Sequence, residues 1–317
     1  MKTKKMSRKE YKRTFKKQLP LQLFVLSGIL YLIVFNFVPM FGIVMAFKNY
    51  DITMGIGGIF TSDWVGLKYF KEFVSDYQFS TLMKNTIGIS LLKLVFTFPV
   101  PIIFAIMLND IRCLPFKKIV QTCSYLPHFI SWVIISGIAS QFFATSGIIN
   151  NVLLALGWIE QPISFLSGAK YYWGLAIGLD VWKEMGWWTI VFLAAIVGVS
   201  QDMYEAAKID GAGRLQRTWY ITLPAIKPTI VVVLILALGN LFGGGLSGSN
   251  FEQSYLLGNT MNSSASTILQ TYVFDVGLAL GRYSYATAVG LVQSLVSLIL
   301  VFLSNYLSKK FTGVGIV

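Results

Sequence analysis

Six long apolar segments decide what this sequence can fold into. They run over Leu21–Phe47, Leu82–Leu108, Ile119–Phe143, Trp173–Val199, Ala225–Leu246 and Tyr283–Leu307. Each matches the length of about 20 residues that a helix needs to cross a hydrocarbon core. In lipid the backbone must satisfy its own polar groups, so such segments become helices. Composition agrees. Of 317 residues, 55% are hydrophobic and only 13% charged, about half the charged share of a soluble domain. The expected fold class is an all-α polytopic membrane protein with six transmembrane helices. The first segment is too long for the core of a secretory signal, and no small-residue cleavage site follows it. It is read as a helix that stays.

The formal net charge is +12. Such a balance suggests nucleic acid, but its distribution points to topology and not to a nucleic-acid partner. Nine basic residues (Lys2, Lys4, Lys5, Arg8, Lys9, Lys12, Arg13, Lys16 and Lys17) precede the first segment. Basic residues stay cytoplasmic. Arg112, Lys117 and Lys118, then Lys208, Arg214, Arg217 and Lys227, then Lys309 and Lys310 fall on the same side, making eighteen. Lys48, Lys68, Lys71, Lys170 and Arg282, only five, fall on the other. Lys84, Lys93 and Lys183 lie in or at spans. The organisation read from this is a basic cytoplasmic tail over 1–20 near anionic membrane lipid, a membrane domain over 21–310 and a short tail over 311–317, with both ends inside. Residues 48–81, with Trp64, Tyr69, Phe70 and Phe73, suit short amphipathic helices at the outer interface. Residues 144–172 and 247–282 read as loops.

Covalent chemistry finds no support. There is one histidine, His128, and two cysteines, Cys113 and Cys123. They make no metal-ligand set, and the expected places of the two cysteines, one in a cytoplasmic loop and the other at a helix start, do not favour a disulfide. His128 reads as a structural histidine. No nucleophile–base arrangement and no G-x-x-x-x-G-K-[ST] phosphate loop is present. Any ATP is then hydrolysed by another polypeptide.

One stretch is too polar for its surroundings. YEAAKIDGAG, Tyr204 to Gly213, lies between the fourth and fifth apolar segments. Asp202–Ile209 can form two helical turns, and Gly211 permits a positive φ where the chain turns sharply. Asp210 is placed to cap a second short helix over Arg214–Ile221. Pro224 and Pro228 mark the return to the membrane.

Glu205-Ala206-Ala207, then Asp210-Gly211-Ala212, then Ile221-Thr222-Leu223-Pro224 resemble the EAA loop of binding-protein-dependent ABC importer permeases, the type I fold with a cytoplasmic coupling helix. The resemblance implies that the segment of about 200–224 docks on a cytosolic ATPase, with Glu205, Ala206, Ala207, Asp210, Gly211, Ala212, Leu223 and Pro224 carrying the coupling. Val38-Pro39-Met40-Phe41-Gly42, Ala46-Phe47-Lys48-Asn49-Tyr50, Tyr125 to Val133 and Phe251-Glu252-Gln253 are similar to the LplB-like subgroup of carbohydrate importer permeases. Asn250 departs from it, standing where glycine is expected, and Gly243–Gly248 is unusually glycine-rich. The implied partners are a related second permease subunit, two ATPase subunits that hold ATP and magnesium, an extracellular solute-binding lipoprotein and an oligosaccharide. No cofactor is expected on this chain, and its place is a bacterial plasma membrane.

Charges inside spans are costly and mark function by default. Asp180, Lys183 and Glu184 stand in the fourth segment, with Trp187 one turn on. Asp180, Glu184 and Trp187 share a helical face by their spacing. Together with Asn240 they are the candidate substrate pathway, since carboxylates and amides suit hydroxyls and aromatic rings suit sugar faces. The competing reading makes Lys183 a structural partner of these carboxylates. Other readings of the chain are a permease for a peptide or another polar solute, a membrane-embedded enzyme of glycan or lipid metabolism, and a scaffold that uses the loop without transport.

Overall fold

The computed structural model describes residues 8–313 and 315. The start of the basic tail, 1–7, and most of the last residues lie outside them. The described chain is helical, with no strand and one isolated bridge, Lys48 to Trp64. The principal helices are α1 (Arg8–Leu32), α2 (Phe79–Thr97), α3 (Pro99–Asp110), α4 (Leu114–Tyr125), α5 (Trp132–Phe142), α6 (Ala169–Val197), α7 (Gln201–Ile209), α8 (Arg214–Arg217), α9 (Leu223–Gly239), α10 (Asn250–Leu257), α11 (Leu269–Phe274) and α12 (Tyr283–Thr312). Helix α1 starts inside the segment expected as a tail.

Among the described residues, four helical stretches are long and apolar enough to cross a membrane: Lys17–Phe47, Phe79–Asp110, Arg214–Gly239 and Tyr283–Lys310. Two more pass as bent pairs, giving as many as six. The fourth expected span is α6, joined to α7 across a 71° bend. The third departs from a straight rod: α4 with the turn after it, Leu114–Phe129, meets α5 at 102°. Pro127 explains the break. It offers no N–H, and its ring excludes a continuing α-helix. The chain tightens into one 3-10 turn over Leu126–Phe129, extends at Ile130, and restarts where Ser131 Oγ accepts from the Ile134 N–H at 3.4 Å.

The regions read as outer loops contain short helices as well. Ile148–Ala155, α10 and α11 fall within them. Residues 48–81 form the short helix Lys68–Val74, which buries Tyr69 and Phe73 against Leu269, Val276, Tyr285 and Val289. Polar contacts lock this cap. Tyr272 and Tyr285 donate to Asp76 at 2.6 and 3.1 Å, and Arg282 pairs with Glu72. Burial alone would raise the Asp76 carboxyl. The hydrogen bonds from Tyr272, the Gln78 N–H and Tyr285 outweigh it and hold the group below its ordinary value.

Helix α6 is the axis of the bundle and packs against α2, α3, α4 and α9. Phe98, Ala105, Phe192, Leu193, Ile196, Ile226 and Val233 make one core around it, and Ile89, Ala139, Tyr172, Ala176, Leu257 and Ile268 another. By contrast, only 6% of the apolar window of the first stretch is buried. Its side chains need lipid or another chain around them.

The α4–α6 contact is very close. A Cβ on Gly186 would stand 2.1 Å from the Ser124 carbonyl oxygen, whereas one on Gly178, on the same helix, meets nothing within 4 Å. Gly186→Ala should therefore destabilise the fold by about 1–3 kcal/mol, the cost of overpacking, while Gly178→Ala should be close to neutral. Thermal unfolding of both variants in detergent checks this. Equal midpoints would mean that α4 does not pack on α6 as described.

Candidate functional site

Breaking a helix inside an apolar bundle exposes carbonyls that water cannot reach. Here Lys183, on α6, reaches them. Its Nζ donates to the carbonyl of Pro127 at 3.4 Å, to that of Ile130 at 3.0 Å and to that of His128. It also lies 3.8 Å from Glu184 Oε1 and 5.9 Å from the Trp132 ring centroid. The ammonium thus acts as the C-terminal cap of a helix that has no further turn to offer.

Glu184 turns toward the same break. Its Oε2 is 2.9 Å from His128 Nδ1, a partner 56 residues away in sequence. Trp187 stacks on the His128 ring, with centroids 4.4 Å apart and planes 5° from parallel. Phe129 meets Trp187 edge-on at 5.9 Å. Beside these groups is a cavity of about 550 Å³, whose lining includes His128, Trp132, Glu184, Phe251, Glu252 and Tyr255. It combines aromatic surface with two carboxylates, a lining that suits a polyhydroxylated ligand.

Asp180 is fully buried one turn away. It pairs with Lys93 at 3.1 Å and accepts from Thr97 at 3.1 Å and from Ser249 at 2.8 Å. Lys93 also donates to Ser249 at 3.1 Å. Ser249 closes the glycine-rich turn 243–248, so this network ties that turn to α2 and α6. Asn250 adds a second tie, donating to Ser90 Oγ at 2.9 Å and to the Phe242 carbonyl at 3.1 Å. The amide that replaces the expected glycine is thus used as a staple. Asn240 caps α9, and its Nδ2 donates to the Gly245 carbonyl at 3.1 Å across the turn. Ser247, Phe251 and Glu252 follow from this anchored backbone into the cavity wall.

Sequence reasoning named Asp180, Lys183, Glu184, Trp187 and Asn240. The structure brings Lys183, Glu184 and Trp187 together at the helix break, and puts Asp180 and Asn240 on the turn behind it. Lys93, Ser249, Phe251, Glu252 and Tyr255 were missed as site residues. Lys93 carried a signal, a charge inside an apolar span. No carboxylate lies near His128 in the sequence; Glu184 is supplied by the fold.

At the far end of α6, α7 terminates in a Schellman motif. The Ala212 N–H donates to the Ala207 carbonyl at 2.8 Å and the Gly211 N–H to that of Lys208 at 3.1 Å. Gly211 takes φ +78° there. Asp210 closes α7 and does not cap the next helix. That role falls to Gly213, whose N–H donates to Gln216 Oε1 at 2.7 Å. Nor is Arg214–Ile221 a separate helix: it runs on into α9 as one stretch, Arg214–Gly239. A π-turn over Thr218–Thr222 precedes Leu223 and Pro224, relieving the clash that proline makes with the preceding turn. Tyr204 and Thr222 hydroxyls, 2.9 Å apart, fasten α7 to this turn. Glu205, Ala206 and Ile209 lie exposed on α7.

The chain belongs to the family described as binding-protein-dependent transport system inner membrane components, which matches residues 97–313. It is a multi-pass transport subunit of that family, in the LplB-like group. It is similar to protein LplB of Bacillus subtilis strain 168, 44% identical over 297 residues, which are 93% of this chain and 90% of that one. The polygalacturonan/rhamnogalacturonan transport system permease protein YteP of the same organism is 46% identical over 297 residues, covering 93% and 89%. A crystal structure of a bacterial ABC transporter involved in the import of the acidic polysaccharide alginate contains a chain 35% identical, with a TM-score of 0.84 over 95% of this chain and 98% of that one.

A buried ion pair tests the anchoring network. Lys93→Met alone leaves Asp180 charged and unmatched, and should cost about 3–5 kcal/mol. The double variant Lys93→Met/Asp180→Leu should recover most of that. Unfolding midpoints and yields of the two check it; additive losses would mean that the pair is not coupled.

Proposed function

We propose that this chain forms half of the translocation pathway of an ATP-driven oligosaccharide importer in a bacterial plasma membrane, with both ends cytoplasmic. The observation that carries the reading is the cavity at the broken helix. Glu184 and Glu252 can accept hydrogen bonds from sugar hydroxyls, while Trp132, Phe251 and Tyr255 offer flat surfaces to the apolar ring faces. The likeness to proteins named for alginate and polygalacturonan transport supports a sugar over a peptide. Trp187 and the anchored turn at Asp180 and Asn240 support the wall of the path.

The α7 segment serves as the coupling element. Glu205, Ala206, Ala207, Asp210, Gly211 and Ala212 form its docking surface, with Leu223 and Pro224 at the root of the span. Exposed Met203 and Ile209 are apolar side chains in need of a partner surface. The partners are a related second permease subunit and two ATPase subunits, which hold ATP and magnesium, and an extracellular solute-binding lipoprotein. The alginate importer has also been crystallised in complex with an alginate pentasaccharide-bound periplasmic protein, which supports the last of these. No cofactor is assigned to this chain.

The assembled complex, purified with its partners and reconstituted, should import an oligosaccharide in an ATP-dependent manner. ATP-driven uptake of peptides alone would overturn the sugar reading, and no uptake by an ATPase-active complex would overturn the importer. Glu184→Gln should change the uptake rate or sugar preference and leave complex yield largely intact. Low yield with unchanged transport per complex would instead make Glu184 a structural partner of His128 and Lys183. Gly211→Val forces a β-branched residue to positive φ, a strain of about 1–3 kcal/mol. It should release the ATPase while the membrane domain still inserts. Normal ATPase co-purification and uptake would count against the docking role.

A further inference from the structure

A second pocket lies under α7, away from the cavity. It holds about 150 Å³, and its lining includes Asp110, Tyr204, Lys208, Arg214, Arg217 and Thr218. Three cations thus face one carboxylate. Among the described residues, none of the three is in an ion pair. Arg217 Nε is buried with no hydrogen-bond acceptor. A buried donor without a partner is costly and calls for an acceptor. The Tyr204 hydroxyl is paired with Thr222 at 2.9 Å and the Thr218 hydroxyl donates to the Arg214 carbonyl at 3.1 Å, so an anion here meets the three cations and not these hydroxyls.

Position narrows the ligand. The pocket sits where α3 ends at Asp110 and the Arg214–Gly239 span begins, at the level of the basic inner segments. Basic pockets between spans on that side face the anionic headgroups of the inner leaflet. The small volume suits one compact anion and not a chain of residues.

We infer that this pocket binds a phosphate group, as the diester of an anionic phospholipid headgroup or as a free phosphate, held by Lys208, Arg214 and Arg217. Such a ligand bridges α7, the root of the fifth span and the end of α3. It holds the α7 segment at one angle to the bundle, and its occupancy sets how stiffly that segment is carried. The inference uses the inner location of α7 and is independent of which solute is transported.

The test uses the assembled transporter in nanodiscs, with two arms. In the first, discs contain phosphatidylglycerol or only phosphatidylcholine, and native mass spectrometry reads the lipid retained on mild delipidation. In the second, inorganic phosphate is titrated into phosphatidylcholine discs, and protection of α7 from hydrogen exchange is read. Selective retention of phosphatidylglycerol identifies the lipid source; saturable protection by inorganic phosphate identifies the free one. Either response should weaken about fivefold for each cation removed in Arg214→Gln and Arg217→Gln, and return in Arg214→Lys and Arg217→Lys. A response that the glutamine variants leave unchanged overturns the inference. So does the absence of both responses in the wild-type complex, a result that stands even where a glutamine variant fails to assemble. Sugar uptake is measured separately, so failure here is distinguishable from failure of the importer reading.

Discussion

A helix can be broken inside an apolar bundle only if something meets its open end. In this chain that something is one ammonium group. Lys183 takes the carbonyls of Pro127, His128 and Ile130, and the 102° turn between α4 and α5 depends on it. The turn makes room for the cavity, places His128 against Glu184 and Trp187, and sends α5 off at an angle. An unpaired lysine in this setting would be prohibitive. Three carbonyls and a neighbouring carboxylate make it structural.

The same logic organises the other wall. The glycine-rich turn after α9 has little side-chain surface with which to hold itself. Its position comes from polar ties: Ser249 to Asp180 and Lys93, Asn250 to Ser90 and Phe242, and Asn240 to Gly245. Buried hydrogen-bond networks restrict the groups they join, and here one acceptor, Asn250 Oδ1, is left without a partner. The cavity is therefore bounded by two pieces of non-helical backbone, each fixed by a lysine on a neighbouring helix. Non-helical backbone at such depth is tolerated where it lines a cavity or is buried in protein.

Much of this was legible in the sequence. Apolar length alone indicates the helical class, and the phase of Asp180, Glu184 and Trp187 follows from helix geometry. The polar segment at Tyr204 announced a turn at Gly211, which the positive φ bears out. What was not legible depends on distance along the chain. Lys93 and Asp180 meet because α2 and α6 pack together, and no local pattern says so. The break at Pro127 sits in an apolar run that reads as one span, because a hydropathy window is blind to a turn whose carbonyls are satisfied from another helix. Asp210 was assigned to the helix that follows, whereas its backbone ends the one before. Local propensity allows both, and the Schellman bonds decide.

The stretch Arg214–Gly239 is a rod of about 39 Å at 1.5 Å per residue, and α7 is attached at its lower end. The π-turn over Thr218–Thr222 is the rod's soft point, since the regular hydrogen-bond ladder is interrupted there. Tyr204 reaches from α7 to Thr222, the last residue of that turn. Any displacement of α7 would thus reach the rod by two routes, along the backbone through Gly211 and Gly213, and sideways through one hydroxyl pair that bypasses both glycines. With the pair intact, α7 is joined to the rod at two points. Without it, the glycine corner would be the one link between the two, and glycine is the residue that constrains a backbone least.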